Sequence, residues 1–256
     1  MTTRSFERAR VRQLARDVRP ELWQMERRLF LRQSLTLGAL SLLGGCGATT
    51  PSSVESILSA MLTFNDGVQA ALFRQNLLAP TFAEADITTP FPFNAYYEEA
   101  EAPVVDAASY KLELAGLIKE RKSLTLAEIK ALPQQSQITR HCCVEGWSAI
   151  GKWGGVPLRS FLEHVGADLS ARYVGFRCAD NYYSSIDMAS ALHPQTILAL
   201  TYADKPLPRS YGAPMKLRIP TKLGFKNPKH IMAIFVTNTY PGGYWEDQGY
   251  NWFGGM

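Results

Sequence analysis

The chain has 256 residues, 27 of them basic, 23 acidic and four cysteine, for a formal charge of +4. Nine arginines and only four acidic residues fall within residues 1–45, so the remainder sits near −1. That remainder gives no electrostatic case for nucleic acid and is long enough for one domain with a real core, and the three cysteines that follow Cys46 are an odd count that argues against a disulfide framework.

In chain order, residues 25–32 are basic, with the pair Arg27-Arg28, and residues 35–43 form an apolar run that ends in Gly44-Gly45-Cys46. The run falls short of the about 20 residues needed to span a bilayer. A charged start before a short apolar stretch reads as an export signal over residues 1–45, and the arginine pair resembles a twin-arginine signal. That pathway exports folded, often cofactor-loaded proteins. The bland alternative is an amphipathic helix with a chance arginine pair. Leu43-Gly44-Gly45-Cys46 also resembles a lipoprotein cleavage box, which would put a lipid anchor on Cys46; the alternative is an ordinary cleavage site. Met25 is a second candidate start. The expected location is the periplasm or the outer face of the cytoplasmic membrane.

Residues 46–93 read as a tether, helices and an irregular arm. Ile57, Leu58, Met61, Leu62, Val68, Ala71 and Leu72 recur at helical spacing, with a break expected near Asn65-Asp66-Gly67. Residues 79–93 are rich in Pro and Thr and read as irregular. In residues 94–256, the stretch 110–116 alternates and predicts a strand. Thr125 to Glu128 has capping-box spacing and opens a short helix to Leu132. Residues 135–142 are β-like and residues 157–165 helical, with Pro157 in the first turn and Gly166 after the end. Further strands are expected at 172–179, 196–202, 215–219 and 230–239, and His193-Pro194 reads as closing a helix after Ser185. Many short strands with few short helices predict a strand-rich α+β fold in a single domain.

Arg140-His141-Cys142-Cys143-Val144-Glu145-Gly146-Trp147-Ser148 carries the chemistry. A thiolate is the metal-binding and nucleophilic form of cysteine, and basic neighbours such as Arg140 and His141 favour it. Adjacent cysteines are about 3.8 Å apart at Cα, below the usual disulfide span of about 4.4–6.8 Å. No second cysteine or histidine follows at zinc spacing. A cysteine hydrolase would need His141, His164, His193 or His230 as partner, and none lies in a local signature. A buried small hydrophobe is the bland reading of Cys143.

Cys143-Val144-Glu145-Gly146-Trp147-Ser148, with Arg140 before it and Trp153 after it, resembles the molybdopterin-binding domain of the sulfite oxidase family. The closer resemblance is to a bacterial branch that includes periplasmic methionine-sulfoxide reductases. The resemblance runs from about residue 94 to residue 239. It implies a sulfite-oxidase-type fold, a molybdenum-molybdopterin cofactor with one metal per chain, and Cys143 as direct metal ligand with Arg140 beside it in the catalytic group. Asn94-Ala95-Tyr96-Tyr97-Glu98 matches a pterin-contacting stretch, so Asn94, Tyr97 and Glu98 inherit that role. Tyr211-Gly212-Ala213-Pro214-Met215-Lys216, then Lys222-Leu223-Gly224-Phe225-Lys226-Asn227-Pro228-Lys229, match segments near the pterin phosphate. They bring in Tyr211, Lys216, Lys226, Asn227 and Lys229, since a phosphate wants cations and backbone N–H donors at a glycine-bearing turn. Solvated basic loops are the common alternative. This chain departs from the pattern at Tyr211 (Asn in the pattern), Lys216 (Arg) and Cys178 (Thr), and a lysine lacks the bidentate fork of an arginine. Asp180-Asn181-Tyr182-Tyr183 is a candidate for the substrate mouth.

The resemblance implies an oxygen-atom-transfer oxidoreductase acting on small-molecule or protein-bound sulfoxides or similar S- and N-oxides. Sulfite-type oxidation is the alternative on the same cofactor. A non-catalytic binding lipoprotein and a cysteine hydrolase remain rivals from other classes. The chain has no haem-attachment motif and no nucleotide fingerprint. Electrons are therefore expected from a membrane-bound haem or quinone-linked protein, and the enzyme is expected to be monomeric.

Overall fold

The computed structural model describes residues 52–256, so the export signal expected over 1–45 and the lipid site expected at Cys46 lie outside the described residues. The first element is α1 (Ser52–Leu72). The break expected at Asn65-Asp66-Gly67 does not occur. A glycine inside a helix costs only about 1 kcal/mol, and tertiary bonds hold the turn that contains it. Asp66 Oδ1 accepts from the Phe253 N–H at 2.7 Å, and Gln69 Oε1 accepts from the Gly255 N–H at 3.1 Å. Of the residues at helical spacing, Ile57, Leu58, Met61 and Leu72 are each more than half exposed. Among the described residues, no helix is long and apolar enough to cross a membrane.

The remaining elements follow in chain order. The strands are β1 (Lys111–Gly116), β2 (Leu124–Thr125), β3 (Gln135–Cys142), β4 (Ser148–Pro157), β5 (Tyr173–Cys178), β6 (Tyr183–Asp187), β7 (Ile197–Tyr202), β8 (Lys205–Pro206), β9 (Lys216–Arg218) and β10 (Ile231–Thr237). Short helices α2 (Leu126–Lys130), α3 (Leu158–His164) and α4 (Met188–Ala191) lie between them. The predicted capping box at the start of α2 is present: Glu128 Oε2 accepts from the Thr125 N–H at 2.7 Å, and Thr125 Oγ1 accepts from the Glu128 N–H at 3.2 Å. One sheet has the order β2-β1-β10-β5-β6, in which only β1 and β10 run parallel; the other has β3-β4-β7-β8, with β9 also paired to β7.

Alternation decides which residues fill the core. Leu112 and Leu114 of β1, Val174 and Phe176 of β5, Ile234 and Val236 of β10, and Leu198 and Leu200 of β7 join Phe161 and Leu162 of α3 in one buried cluster. The intervening residues of β7, Ile197 and Ala199, turn to the other face and pack with Phe91, Ala149 and Trp153. A sheet buried on both faces reads as continuously apolar, as β7 does.

β4 escapes the sequence pattern because Gly151, Gly154 and Gly155 lower its strand propensity. They are there for close approach. A Cβ on Gly155 would stand 1.9 Å from Leu198 O, and one on Gly154 2.4 Å from Thr201 Oγ1. Gly155→Ala is therefore expected to lower stability by on the order of 3 kcal/mol. Urea unfolding checks this; a midpoint within error of the parent would mean that β4 and β7 can separate freely.

Candidate active site

β3 and β4 form a hairpin whose last pair is Cys142 with Ser148. Cys143 opens the connecting loop. Its N–H donates to Trp147 O at 2.9 Å, and its own carbonyl accepts from the Gly146 N–H at 3.2 Å. Gly146 has φ 93°, a left-handed conformation that glycine adopts without a Cβ penalty. The loop thus holds the thiol rigidly at the end of a strand. Cys143 Sγ lies 3.7 Å from Glu145 Oε2, which also accepts from Trp147 Nε1 at 3.0 Å. Burial pushes the thiol up from its ordinary value, and the adjacent Glu145 charge adds to this.

The thiol faces an open cavity that six stretches of chain enclose. They are the arm at 94–97, the hairpin at 141–145, the turn at 180–182, Lys216 of β9, the loop at 224–229, and the C-terminal segment at Trp245 and Tyr250. The cavity's inner wall is cationic. Lys216 is 3 % exposed, has no carboxylate in ion-pair range among the described residues, and lies with Nζ 4.7 Å from the Trp153 ring centroid. Burial holds its ammonium well below the ordinary lysine value, with Lys229 and Arg218 adding repulsion. Arg218 is fully buried and donates to Asn227 Oδ1 and Thr139 Oγ1, each at 3.1 Å. Lys229 Nζ donates to Asn94 O at 2.6 Å and Ser210 O at 2.8 Å. Burial, followed by Arg218, Lys216 and Lys229, drives the His141 imidazole well below its ordinary value. Among the described residues, no three His, Cys, Asp or Glu side chains gather as a metal cluster.

A family profile described as the oxidoreductase molybdopterin binding domain matches residues 99–245. The chain belongs to this molybdopterin-binding oxidoreductase family. It is 65% identical over 229 residues to the putative protein-methionine-sulfoxide reductase subunit YedZ1 of Azospira oryzae, covering 90% of this chain and 87% of the relative. It is 30% identical over 186 residues to the protein-methionine-sulfoxide reductase catalytic subunit of Xanthomonas campestris, covering 63% of this chain and 57% of that protein. The catalytic subunit of Ralstonia nicotianae is also 30% identical, over 68% of this chain and 61% of its own length. This chain thus spans less than two thirds of those two catalytic subunits. The sulfane dehydrogenase SoxCD of Paracoccus pantotrophus shares the fold at a TM-score of 0.52 and 15% identity, over 68% of this chain and 52% of its own. The expected strand-rich, sulfite-oxidase-type fold is observed, and the protein is an oxidoreductase of that family.

The cavity of this molybdopterin-binding oxidoreductase fits its cofactor class. A soft thiol stands at one wall, and a buried ammonium without a counter-ion and an imidazole without partners stand at another, which are surroundings for an anionic group bearing a thiophilic metal. Of the residues predicted from sequence, Cys143, Asn94, Tyr97, Lys216, Asn227 and Lys229 line it. Tyr97 donates to Asp180 Oδ2 at 3.1 Å, and the Asn227 side chain is spent on Arg218, the Ile219 N–H and Leu223 O.

Arg140, Glu98, Cys178, Tyr211 and Lys226, the other residues singled out from sequence, are not among those that line it. Strand alternation sends Arg140 outward over the Phe82 ring at 5.1 Å and its neighbour His141 inward. Glu98 precedes a 3-10 turn and is exposed. Cys178 is buried under the first sheet's own core. Tyr211 packs against Trp153 and Tyr202 and donates to Phe91 O at 2.8 Å. Lys226 is fully buried in an ion pair with Glu246. His141 was named from sequence only as a basic neighbour of the thiol, although counting back in twos from Cys143 along β3 puts it on the same face. Phe225, Trp245 and Tyr250 were missed because no local pattern marks them.

Lys226→Met or Glu246→Leu alone strands a buried charge and is expected to cost about 3–5 kcal/mol. The double exchange K226M/E246L should cost far less, and urea unfolding of the four proteins checks the cycle; simple additivity would mean that the pair is not coupled. Burial also lowers Lys229 to about 8. Between about pH 8 and about 10.4 the unfolded chain keeps a proton that the folded protein has lost, so stability rises with pH there. Lys229→Met should flatten that rise by up to about 1.4 kcal/mol per pH unit. Urea midpoints across the window test it, and an unchanged slope would put the ammonium in water.

Proposed function

We propose that the protein is an exported molybdenum-molybdopterin enzyme that reduces sulfoxides, with Cys143 as the protein's metal ligand. The observation that carries this is the thiol held at the wall of a cationic cavity in a chain of a molybdopterin-binding family. Its relatives are named protein-methionine-sulfoxide reductase subunits, which supports the substrate class. When bound, the cofactor supplies a two-electron metal centre able to exchange an oxygen atom with substrate. The overall reaction takes two electrons and two protons and turns a sulfoxide into a sulfide and water.

The chain's own residues bind and orient. Lys216 and Lys229 offer positive charge to an anionic group, the 94–97 arm closes over it, and the Cys143 loop fixes the thiol without slack. Tyr96, Tyr182, Phe225, Trp245 and Tyr250 give the cavity an aromatic side, which suits the polarisable sulfur of a methionine sulfoxide. No arginine lines the cavity among the described residues, and a doubly charged sulfite would want such a fork. That favours sulfoxide reduction over sulfite oxidation. The word subunit in the relatives' names supports a separate electron donor, read here as a membrane protein. The arginine pair and Cys46 support export and a lipid tether. Residues 1–45 are taken as signal and 94–256 as the catalytic domain.

Cys143→Ser is expected to keep the fold while turnover on a panel of methionine sulfoxides drops by about a thousandfold or more, a loss of about 4 kcal/mol in transition-state stabilisation. Metal and pterin content measured on the same preparations completes the test. Full turnover by the variant, or wild-type protein free of molybdenum, would defeat the assignment.

A further inference from the structure

His141 is 1 % exposed, yet neither of its ring nitrogens has a hydrogen-bond partner. Buried polar groups are ordinarily satisfied, and two other buried histidines of this chain each have at least one partner. His193 is paired at both ring nitrogens, with Nε2 3.0 Å from Leu77 O and Nδ1 accepting from the Gln195 N–H at 3.1 Å; His230 is paired at one, with Nδ1 2.7 Å from Ala213 O and Nε2 unpaired, so among these rings His141 alone lacks any partner.

The surroundings of His141 offer it nothing. The Phe91 and Trp147 rings have centroids at 6.0 and 5.9 Å, and the Trp147 N–H is committed to Glu145. The charged groups that face the imidazole are Arg218, Lys216 and Lys229, all donors with no acceptor atom. One side is open. His141 lines the cavity that holds Cys143, and so does Gly224. A Cβ on Gly224 would stand 2.7 Å from His141 Nε2 and 3.0 Å from Cε1, so only a glycine there leaves that nitrogen uncovered by a side chain.

We propose that His141 is a positioning residue for the cofactor: one imidazole N–H donates to an oxygen or nitrogen acceptor of the bound molybdopterin and sets its place relative to Cys143. The proposal rests on the molybdopterin reading above and deepens it. It assigns the ring a role in holding the group, apart from the thiol's role as ligand.

The test compares full-length wild type, His141→Phe and His141→Gln, each purified from cells that make the cofactor. Molybdenum is measured by mass spectrometry, and pterin by fluorescence after oxidative release. Phe keeps an aromatic ring and loses the donor; Gln restores a donor. The expected result is a roughly tenfold fall in both contents for Phe and near-parent contents for Gln, with unchanged melting of the cofactor-free proteins. Full loading of the Phe variant, or an equal loss in the Gln variant, overturns the proposal. Should the variants fail to fold, ring-nitrogen resonances of 15N-histidine-labelled wild type decide. A shift of the His141 signals between cofactor-free and loaded protein supports the proposal, and unchanged signals overturn it. Wild type that carries neither molybdenum nor pterin defeats the molybdopterin reading itself, and this assignment with it.

Discussion

Positive charge buried without a counter-ion governs this structure. Lys216 and Arg218 sit one residue apart on β9, both almost wholly out of water, and no carboxylate pairs with either among the described residues. Taking such charges from water costs several kcal/mol each unless something compensates. Arg218 is compensated by carbonyl, hydroxyl and amide oxygens around its fork. Lys216 has the Trp153 ring and the cavity. The 94–97 arm, the Cys143 loop and the C-terminal segment enclose the same cavity that Lys216 lines.

The neighbouring lysines show how differently the same residue type can be used. Lys222 pairs with Asp187 at 3.3 Å and lies against the Phe253 ring, and Lys226 pairs with Glu246. Glu246 also accepts from Ser184 Oγ at 3.2 Å. These bonds fasten the C-terminal segment to β6, and that segment carries Trp245 and Tyr250 to the cavity. Two lysines of the run therefore build the wall, and only Lys229 reaches the space inside it. Lys229 in turn holds the arm through the Asn94 carbonyl, so the electrostatics of the site and the positions of its walls are one arrangement.

Where the chain alternates or repeats cleanly, its elements were readable. β1, β3, β5, β7 and β10 emerged at nearly their observed bounds, and α2 announced itself through its capping box. β4 did not, because its glycines answer to Leu198 and Thr201 on another strand, which no local window contains. The outward direction of Arg140 was hidden for a related reason. Nearness in sequence suggested nearness to Cys143, whereas a strand sends adjacent side chains to opposite faces.

By itself, the sequence determined the chemistry on offer and its family: the Cys-Val-Glu-Gly-Trp-Ser run, the glycine that lets its loop turn, and a supply of lysines near a Gly-Phe pair. Those features are local, set by residue type and spacing. Only the tertiary structure decided which lysine meets a carboxylate and which meets a cavity, and that His141 rather than Arg140 looks inward. Charge pairing and burial depend on distances between residues far apart in the chain, and these exist only once the two sheets have packed.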